Sequence, residues 1–372
     1  MTLSPLRVAF ALPGLHRVDR GAEIAFISVG SELAREGHEV TLIGSGPPRK
    51  GAPYRYLQAG LIPRERFERF PRLPALRSET SWEELTFLPG FHKVYRPDEF
   101  DVTLTCSFPW MNWALRTRRR NGRRPAHVFV TQNGIWPVQS DDREYGWFGC
   151  EGLVCINPEF HEIGRDRYPS ALIPNGVDLP RFRAGRSDRE AFGLPADKPV
   201  VLMVSALIAS KQVELGIEAV SRLEGVHLAV AGDGPLRDQL RARADQLMPG
   251  RFHNFTTKAD RMADVYRSAD LFLHLSRDES FGNVYVEAMA SGLPTVALDL
   301  PRTRWIVGDN ATLVPDGNLD ALSKGITGTL AEAVNKDRLL QRAASFDWPV
   351  IARQYSDFLQ DIVSRQKRKP EA

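Results

Sequence analysis

The chain has 372 residues, a length that at about 150 residues per domain accommodates two domains. Hydrophobic residues make up 42% of it and charged residues 26%, close to the globular average, which excludes a disordered, collagenous or coiled-coil chain. Lys and Arg number 49 against 46 Asp and Glu, and the resulting net charge of +3 predicts no nucleic-acid partner while leaving anionic substrates in play. Cys106, Cys150 and Cys155 lack C-x-x-C spacing and are too few for a disulfide framework, so a reducing compartment and no zinc site are expected. The start, MTLSPLRVAFALPG, holds one short apolar run broken by Pro13 and Gly14, without the basic start and cleavage site of a signal peptide. A cytoplasmic location is expected, and since no apolar stretch approaches the roughly 20 residues of a spanning helix, membrane contact is expected to be peripheral, at the inner face.

A strand is predicted at 7–12 and a helix at 22–36, with apolar residues at Ile24, Phe26, Ile27 and Leu33, and with Gly37 where a helix end takes a left-handed residue. Further strands are expected at 38–44, 101–106, 127–132, 152–156 and 171–174. Residues 46–99, with RERFERFPRLPALRSETSW among them, read as an irregular surface excursion, an acceptor-side insertion being the other reading. The run RTRRRNGRR at 116–124 reads as a solvated helix end whose cations face the helix dipole. The Pro- and Gly-bearing stretch IPNGVDLPRFRAGRSDREAFGLPADKP reads as a linker, with the boundary near Pro174. The pattern then restarts with PVVLMVSAL, a helix at 214–223, VHLAVAGDG, and strands at 251–256, 271–275, 294–298 and 311–314. Apolar runs alternating with amphipathic stretches describe parallel strands covered by crossover helices: an α/β chain with two doubly wound sheets. Ligands of such sheets bind beyond the carboxyl ends of the strands.

The stretch LFLHLSRDESFGNVYVEAMASGLPTVAL runs strand, loop, helix, strand. Ser280, Phe281, Gly282 and Asn283 fall at the helix start, where backbone N–H groups and the positive dipole end suit a diphosphate, and Gly282 permits close approach. Glu279 precedes that helix and Glu287 follows two turns on, so both carboxylates can address one elongated ligand as acceptors for sugar hydroxyls. Taken alone each is an ordinary solvated or capping Glu. A glycosidase would instead need the two carboxylates to flank one scissile bond, which fits a helix start less well. Lys211, at another strand end, supplies a cation.

The string Glu279-Ser-Phe-Gly-Asn-Val-Tyr-Val-Glu287-Ala-Met-Ala-Ser-Gly-Leu-Pro resembles the E-x7-E signature of the retaining GT-B glycosyltransferases of the fourth sequence family. Ile173-Pro174-Asn175-Gly176-Val177-Asp178, Gly232-Asp233-Gly234-Pro235, Gly21-Ala22-Glu23 and Gly37-His38-Glu39-Val40 agree in order, and Phe346-Asp347-Trp348 resembles the family's ending. The resemblance spans nearly the whole chain. It implies a GT-B fold: two Rossmann-like domains facing a central cleft, with a C-terminal helix crossing back to the N-domain. The acceptor-binding domain would be 1–173 plus the helix at about 350–372, and the nucleotide-sugar domain 174–349. It also implies roles. Glu287 would bind ribose hydroxyls and Glu279 the donor sugar; Phe281, Gly282, Asn283 and Val284 would hold sugar or diphosphate, in the case of Gly282, Asn283 and Val284 through backbone N–H groups. Lys211 would neutralise the leaving diphosphate, and Gly21 would bring backbone close to the diphosphate or acceptor. No metal or other cofactor is expected, and the chain contains no D-x-D string.

Three departures from the family pattern qualify this. Ala206 stands where the family places an arginine five residues before the lysine, leaving Ser205, Arg302 or Lys258 to replace that phosphate contact. Gln132 and Asn133 stand where the N-domain usually offers a histidine; amides position a substrate but do not shuttle protons, and Asn133 is the residue assigned to that place. The first-loop glycine pair is replaced by Arg20-Gly21. His16 and Asp19 are expected on a surface loop, His274 as a buried, hydrogen-bonded histidine, and Trp110, Trp113 and Trp136 in core packing, with stacking on an acceptor sugar as their other reading. The expected activity is retaining transfer from a nucleotide diphosphate sugar, a UDP-sugar in the favoured form, to a saccharide or glycolipid acceptor of bacterial surface polysaccharide synthesis. A nucleotide-sugar epimerase or hydrolase, or a non-catalytic nucleotide-sugar binder, are the alternatives.

Overall fold

The computed structural model describes residues 4–116, 124–139 and 147–368; the basic run at 117–123 lies outside them. Two compact units form, one of Met1–Asn175 with Trp348–Ala372, the other of Gly176–Asp347. The first holds the parallel strands β1 (Arg7–Ala11), β2 (Glu39–Gly44), β3 (Arg55–Gln58), β4 (Val102–Thr105), β5 (Ala126–Val130), β6 (Gly152–Cys155) and β7 (Ser170–Leu172), in the order β3-β2-β1-β4-β5-β6-β7. The second holds β8 (Val200–Val204), β9 (His227–Ala231), β10 (Phe252–Phe255), β11 (Leu271–His274), β12 (Thr295–Leu298) and β13 (Ala311–Val314), in the order β10-β9-β8-β11-β12-β13. Every residue of β4, β5, β6, β11 and β12 is buried, so these runs are mostly apolar, and their few polar residues, Thr103, Thr105, His127, His274 and Thr295, lie inside as well. Both units are doubly wound and Rossmann-like. Among the described residues no helix is long and apolar enough to cross a membrane.

The C-terminal helix Trp348–Arg368 belongs to the first unit. His38 ties it down: its Nδ1 accepts from the Leu6 N–H at 3.1 Å and its Nε2 lies 2.9 Å from the Ser356 hydroxyl. Residues 46–99 depart from the expectation of an irregular excursion. They contain β3, paired in parallel with β2, and the helix Glu79–Val94, capped by Ser78 and burying Phe87 and Phe91 completely. The helix is masked in the sequence by Pro89, a breaker that it contains in its interior. The linker reading of 173–199 needs a similar correction, because Phe182 is buried edge-on to Tyr266 at 5.8 Å and Arg189 bonds Asp270 at 2.6 Å. That stretch packs on the second unit.

Candidate active site

In the second unit the strand order reverses between β8 and β11, so the loops leaving these two neighbours open side by side at the carboxyl edge of the sheet. The loop after β8 carries Lys211 in the single turn Ala209–Lys211, and Gln212 behind it takes a left-handed conformation (φ 51°). From there the Gln212 amide donates to the Leu275 carbonyl at 2.9 Å and fastens the two loops together. Lys211 Nζ thereby reaches Glu279 Oε1 at 2.5 Å and Ser276 Oγ at 3.3 Å. Only 17% of the Lys211 side chain and 23% of that of Glu279 are exposed, so the pair is far less screened than a surface ion pair. A second donor, His274 Nε2, meets the same Glu279 oxygen at 3.1 Å. Burial pushes the Glu279 carboxyl up, but the hydrogen bonds and charges of His274 and Lys211 outweigh it and hold the pKa at about 2. The group is therefore an anion at neutral pH.

Gly282 caps the helix Asn283–Ala290 with φ 93° and ψ 62°, a left-handed position that favours glycine. A Cβ there would lie 2.8 Å from the Tyr285 ring and 3.9 Å from Glu279 Cγ. No side chain caps this helix, and N–H groups in a first helical turn have no carbonyl within the helix to bond. An ammonium, a carboxylate and the positive end of a helix thus gather at the carboxyl edge of this sheet, able to meet an anion and a hydroxyl together. Glu287 is held differently: its Oε2 accepts from the buried Tyr266 hydroxyl at 2.7 Å, and burial raises its pKa. Phe281 is buried edge-on to Trp305 at 6.1 Å, so its side chain serves the core, while Asn283 and Val284 are half-buried in the first turn. The Ser205 hydroxyl is buried with no hydrogen-bond partner among the described residues, next to exposed Ala206. A Cβ on Gly232 would come 1.8 Å from the Ser205 carbonyl oxygen, so the Gly232-Asp233-Gly234 turn lies backbone against backbone beside the site.

Gly21 and Asn133 belong to the first unit. Gly21 opens the helix Gly21–Arg35 behind Arg20, again without a side-chain cap. Asn133 is exposed at the end of a single turn after β5, with its amide 3.4 Å from the Cys106 carbonyl. Gln132 is instead buried in a reciprocal amide pair with Asn175 (2.5 and 3.1 Å), which commits both of its polar ends. His16 is not a surface residue: it is 6% exposed, stacked on Tyr56 at 4.0 Å and bonded to Tyr54, and burial lowers its pKa. Asp19 does lie at the surface, paired with Arg49. Trp113 packs edge-on to Trp110 and Phe108, whereas Trp136 is 41% exposed. Sequence reasoning missed Gln212, Ser276 and Tyr266, and did not identify Glu279 as the partner of His274. Ser276 lies past the end of β11 and Gln212 on the loop after β8, so neither had a local signal, and Tyr266 has none either, since it lies 21 residues from Glu287 on another helix.

Comparison with known proteins bears on the family and the fold. Residues 20–181 match the model described as Glycosyltransferase Family 4, and residues 186–346 that of Glycosyl transferases group 1. The lipopolysaccharide core biosynthesis glycosyltransferase LpsE of Rhizobium meliloti (strain 1021) is 32% identical over 62% of this chain and 68% of its own. The chain belongs to the family 4, group 1 glycosyltransferases. Further curated relatives of this glycosyltransferase are matched over about half of their own length or less. Sucrose-phosphate synthase from Thermosynechococcus elongatus superposes with a TM-score of 0.76 at 20% identity, covering 96% of this chain and 99% of that one. Anabaena Alr3699/HepE in complex with UDP-glucose does so with a TM-score of 0.70 at 17% identity, covering 96% and 100%. At these identities the likeness is one of fold, and the fold is GT-B.

Proposed function

We propose that this glycosyltransferase moves a sugar from a nucleotide diphosphate donor, a UDP-sugar in the favoured form, to an acceptor hydroxyl with retention of anomeric configuration. The observation that carries this reading is the Lys211–Glu279 pair at the start of helix Asn283–Ala290. As the anomeric C–O bond breaks, its electron pair leaves with the diphosphate and the sugar becomes oxocarbenium-like. The Lys211 ammonium and the N–H groups of Gly282, Asn283 and Val284 stabilise the charge growing on the phosphate oxygens. Glu279 accepts from a hydroxyl of the transferred sugar and Glu287, oriented by Tyr266, from the ribose. Ser205, whose buried hydroxyl has no partner among the described residues, is suited to the phosphate contact that Ala206 cannot make. On the acceptor side Gly21 permits close backbone approach and Asn133 positions the hydroxyl. The acceptor oxygen attacks on the face the leaving group vacates, and its proton passes to the departing phosphate oxygen, so no protein nucleophile is used.

With Lys211 and the helix start meeting the diphosphate, transfer is expected to persist in a chelator. The similarity to LpsE supports an acceptor of the saccharide or glycolipid class, in cytoplasmic assembly of surface polysaccharide with at most peripheral membrane contact. The test is melting of the protein against UDP-, GDP- and ADP-sugars, followed by NMR assignment of the product anomer. A ligand bound by the native state alone raises the apparent stability. No stabilisation by any nucleotide sugar, or an inverted anomer, would sink the proposal.

A further inference from the structure

Glu279 is held by two donors that differ in freedom to move. Lys211 reaches Oε1 on a flexible four-carbon stem. The His274 ring is 3% exposed at the end of β11, stacked on Phe272 at 5.8 Å and edge-on to Tyr285 at 4.8 Å. Tyr285 is itself buried, with its hydroxyl 3.4 Å from Thr303 Oγ1. Both bonds fall on Oε1, so the carboxylate is pinned by one oxygen and presents the other, Oε2. A phosphate at the helix start seeks the ammonium that Glu279 already holds, and the two anions compete for it. When Lys211 turns to a phosphate, the carboxylate loses its mobile donor and keeps its rigid one.

We infer that His274 is a positioning residue, whose Nε2–H holds Glu279 in place while Lys211 engages the diphosphate, so that Oε2 stays aimed at a hydroxyl of the transferred sugar. The inference rests on the nucleotide-sugar reading above and adds a division of labour to it: Lys211 is shared between carboxylate and phosphate, and His274 serves the carboxylate alone. Without His274 an ionised side chain with several rotors would be free to follow the ammonium, and its contact with the sugar would be lost at an entropic cost. The nucleotide itself, which does not touch Glu279, would be bound as before.

The experiment compares the affinities of UDP and UDP-glucose by calorimetry for the wild type, His274→Phe, which keeps an aromatic ring but no donor, and His274→Gln, which restores a side-chain N–H. The expected result is UDP affinity within about twofold in all three, while the preference for UDP-glucose over UDP falls roughly tenfold in His274→Phe and recovers in His274→Gln, as for loss of a hydrogen bond to a charged group. Hydrolysis of UDP-glucose, with water as acceptor, should follow the same order. If His274→Phe keeps the full preference, or if UDP affinity and melting temperature fall in parallel with it and His274→Gln does not recover, the ring is only structural and the inference is overturned. A wild type stabilised by no nucleotide sugar would remove the underlying reading, a distinct failure.

Discussion

Behind β11 in the second unit a carboxylate is held ionised, with Glu279 at about 2 between Lys211 and His274, whereas behind β4 in the first unit the carboxyl of Glu84 is pushed up to about 8. Burial is the leading influence on both, and it raises both; the difference lies in what faces them. Glu279 has two cationic or N–H donors on one oxygen. Glu84 has the Ser107 hydroxyl and the backbone of Met111 and Trp110, the neighbouring Glu83 raises it further, and its Oε2 has no partner among the described residues. Glu23, in the first turn of helix Gly21–Arg35, is also raised by burial. Two sheets of the same winding therefore carry opposite electrostatics: a carboxylate held ionised at one reversal of strand order, and buried carboxyls with raised pKa in the other unit.

The largest effect is expected from Lys211→Ala, which removes the charged side of that contrast. Transfer should fall by about 10²–10³, as for loss of a donor to a developing anion, measured as kcat with saturating donor. The same change leaves Glu279 with one donor, so its pKa should rise. A depressed carboxylate contributes stability that is present above its unfolded value of 4.5 and is lost as pH falls through about 2; in the variant the gap between the two values narrows, so this loss should be smaller and complete at higher pH, seen in acid unfolding followed by circular dichroism. Gly282→Ala should come next, costing about 1–3 kcal/mol through the left-handed backbone and the contact with Tyr285. A melting temperature unchanged in that variant would contradict the turn geometry. Glu84→Gln sharpens the other side. A raised carboxyl contributes stability that is present below pH 4.5 and disappears as pH rises through about 8, so the wild type should lose melting temperature across that window and the variant should not. The smallest effect belongs to Tyr266→Phe, which unties Glu287 and should raise the KM for the nucleotide sugar roughly fivefold, the worth of one hydrogen bond, at unchanged kcat.

Much of the fold was legible because strands covered by crossover helices are mostly apolar: all six runs read in the second half contain a strand, as 271–275 contains β11 and 311–314 coincides with β13. β3 and helix Glu79–Val94 were not, because Arg, Pro and aromatic density and an interior proline imitate a loop, and only packing of Phe87 and Phe91 overrides the breaker. In the site, Glu279, Gly282 and Glu287 were readable because a helix start and its spacing are local properties. Tyr266 was not, because the partner of a buried carboxylate is chosen by packing across 21 residues.

By itself the sequence determined the alternation of buried strand and helix, the helix start at Gly282, and the motifs that mark the family, since each is a pattern of residues close together along the chain. Tertiary structure alone decided that Lys211, 68 residues away, closes on Glu279, that His274 shares the same oxygen, and that Glu84 is raised where Glu279 is depressed. A carboxylate's charge state is set by the groups that surround it in space, and strand order, not chain order, chooses those groups.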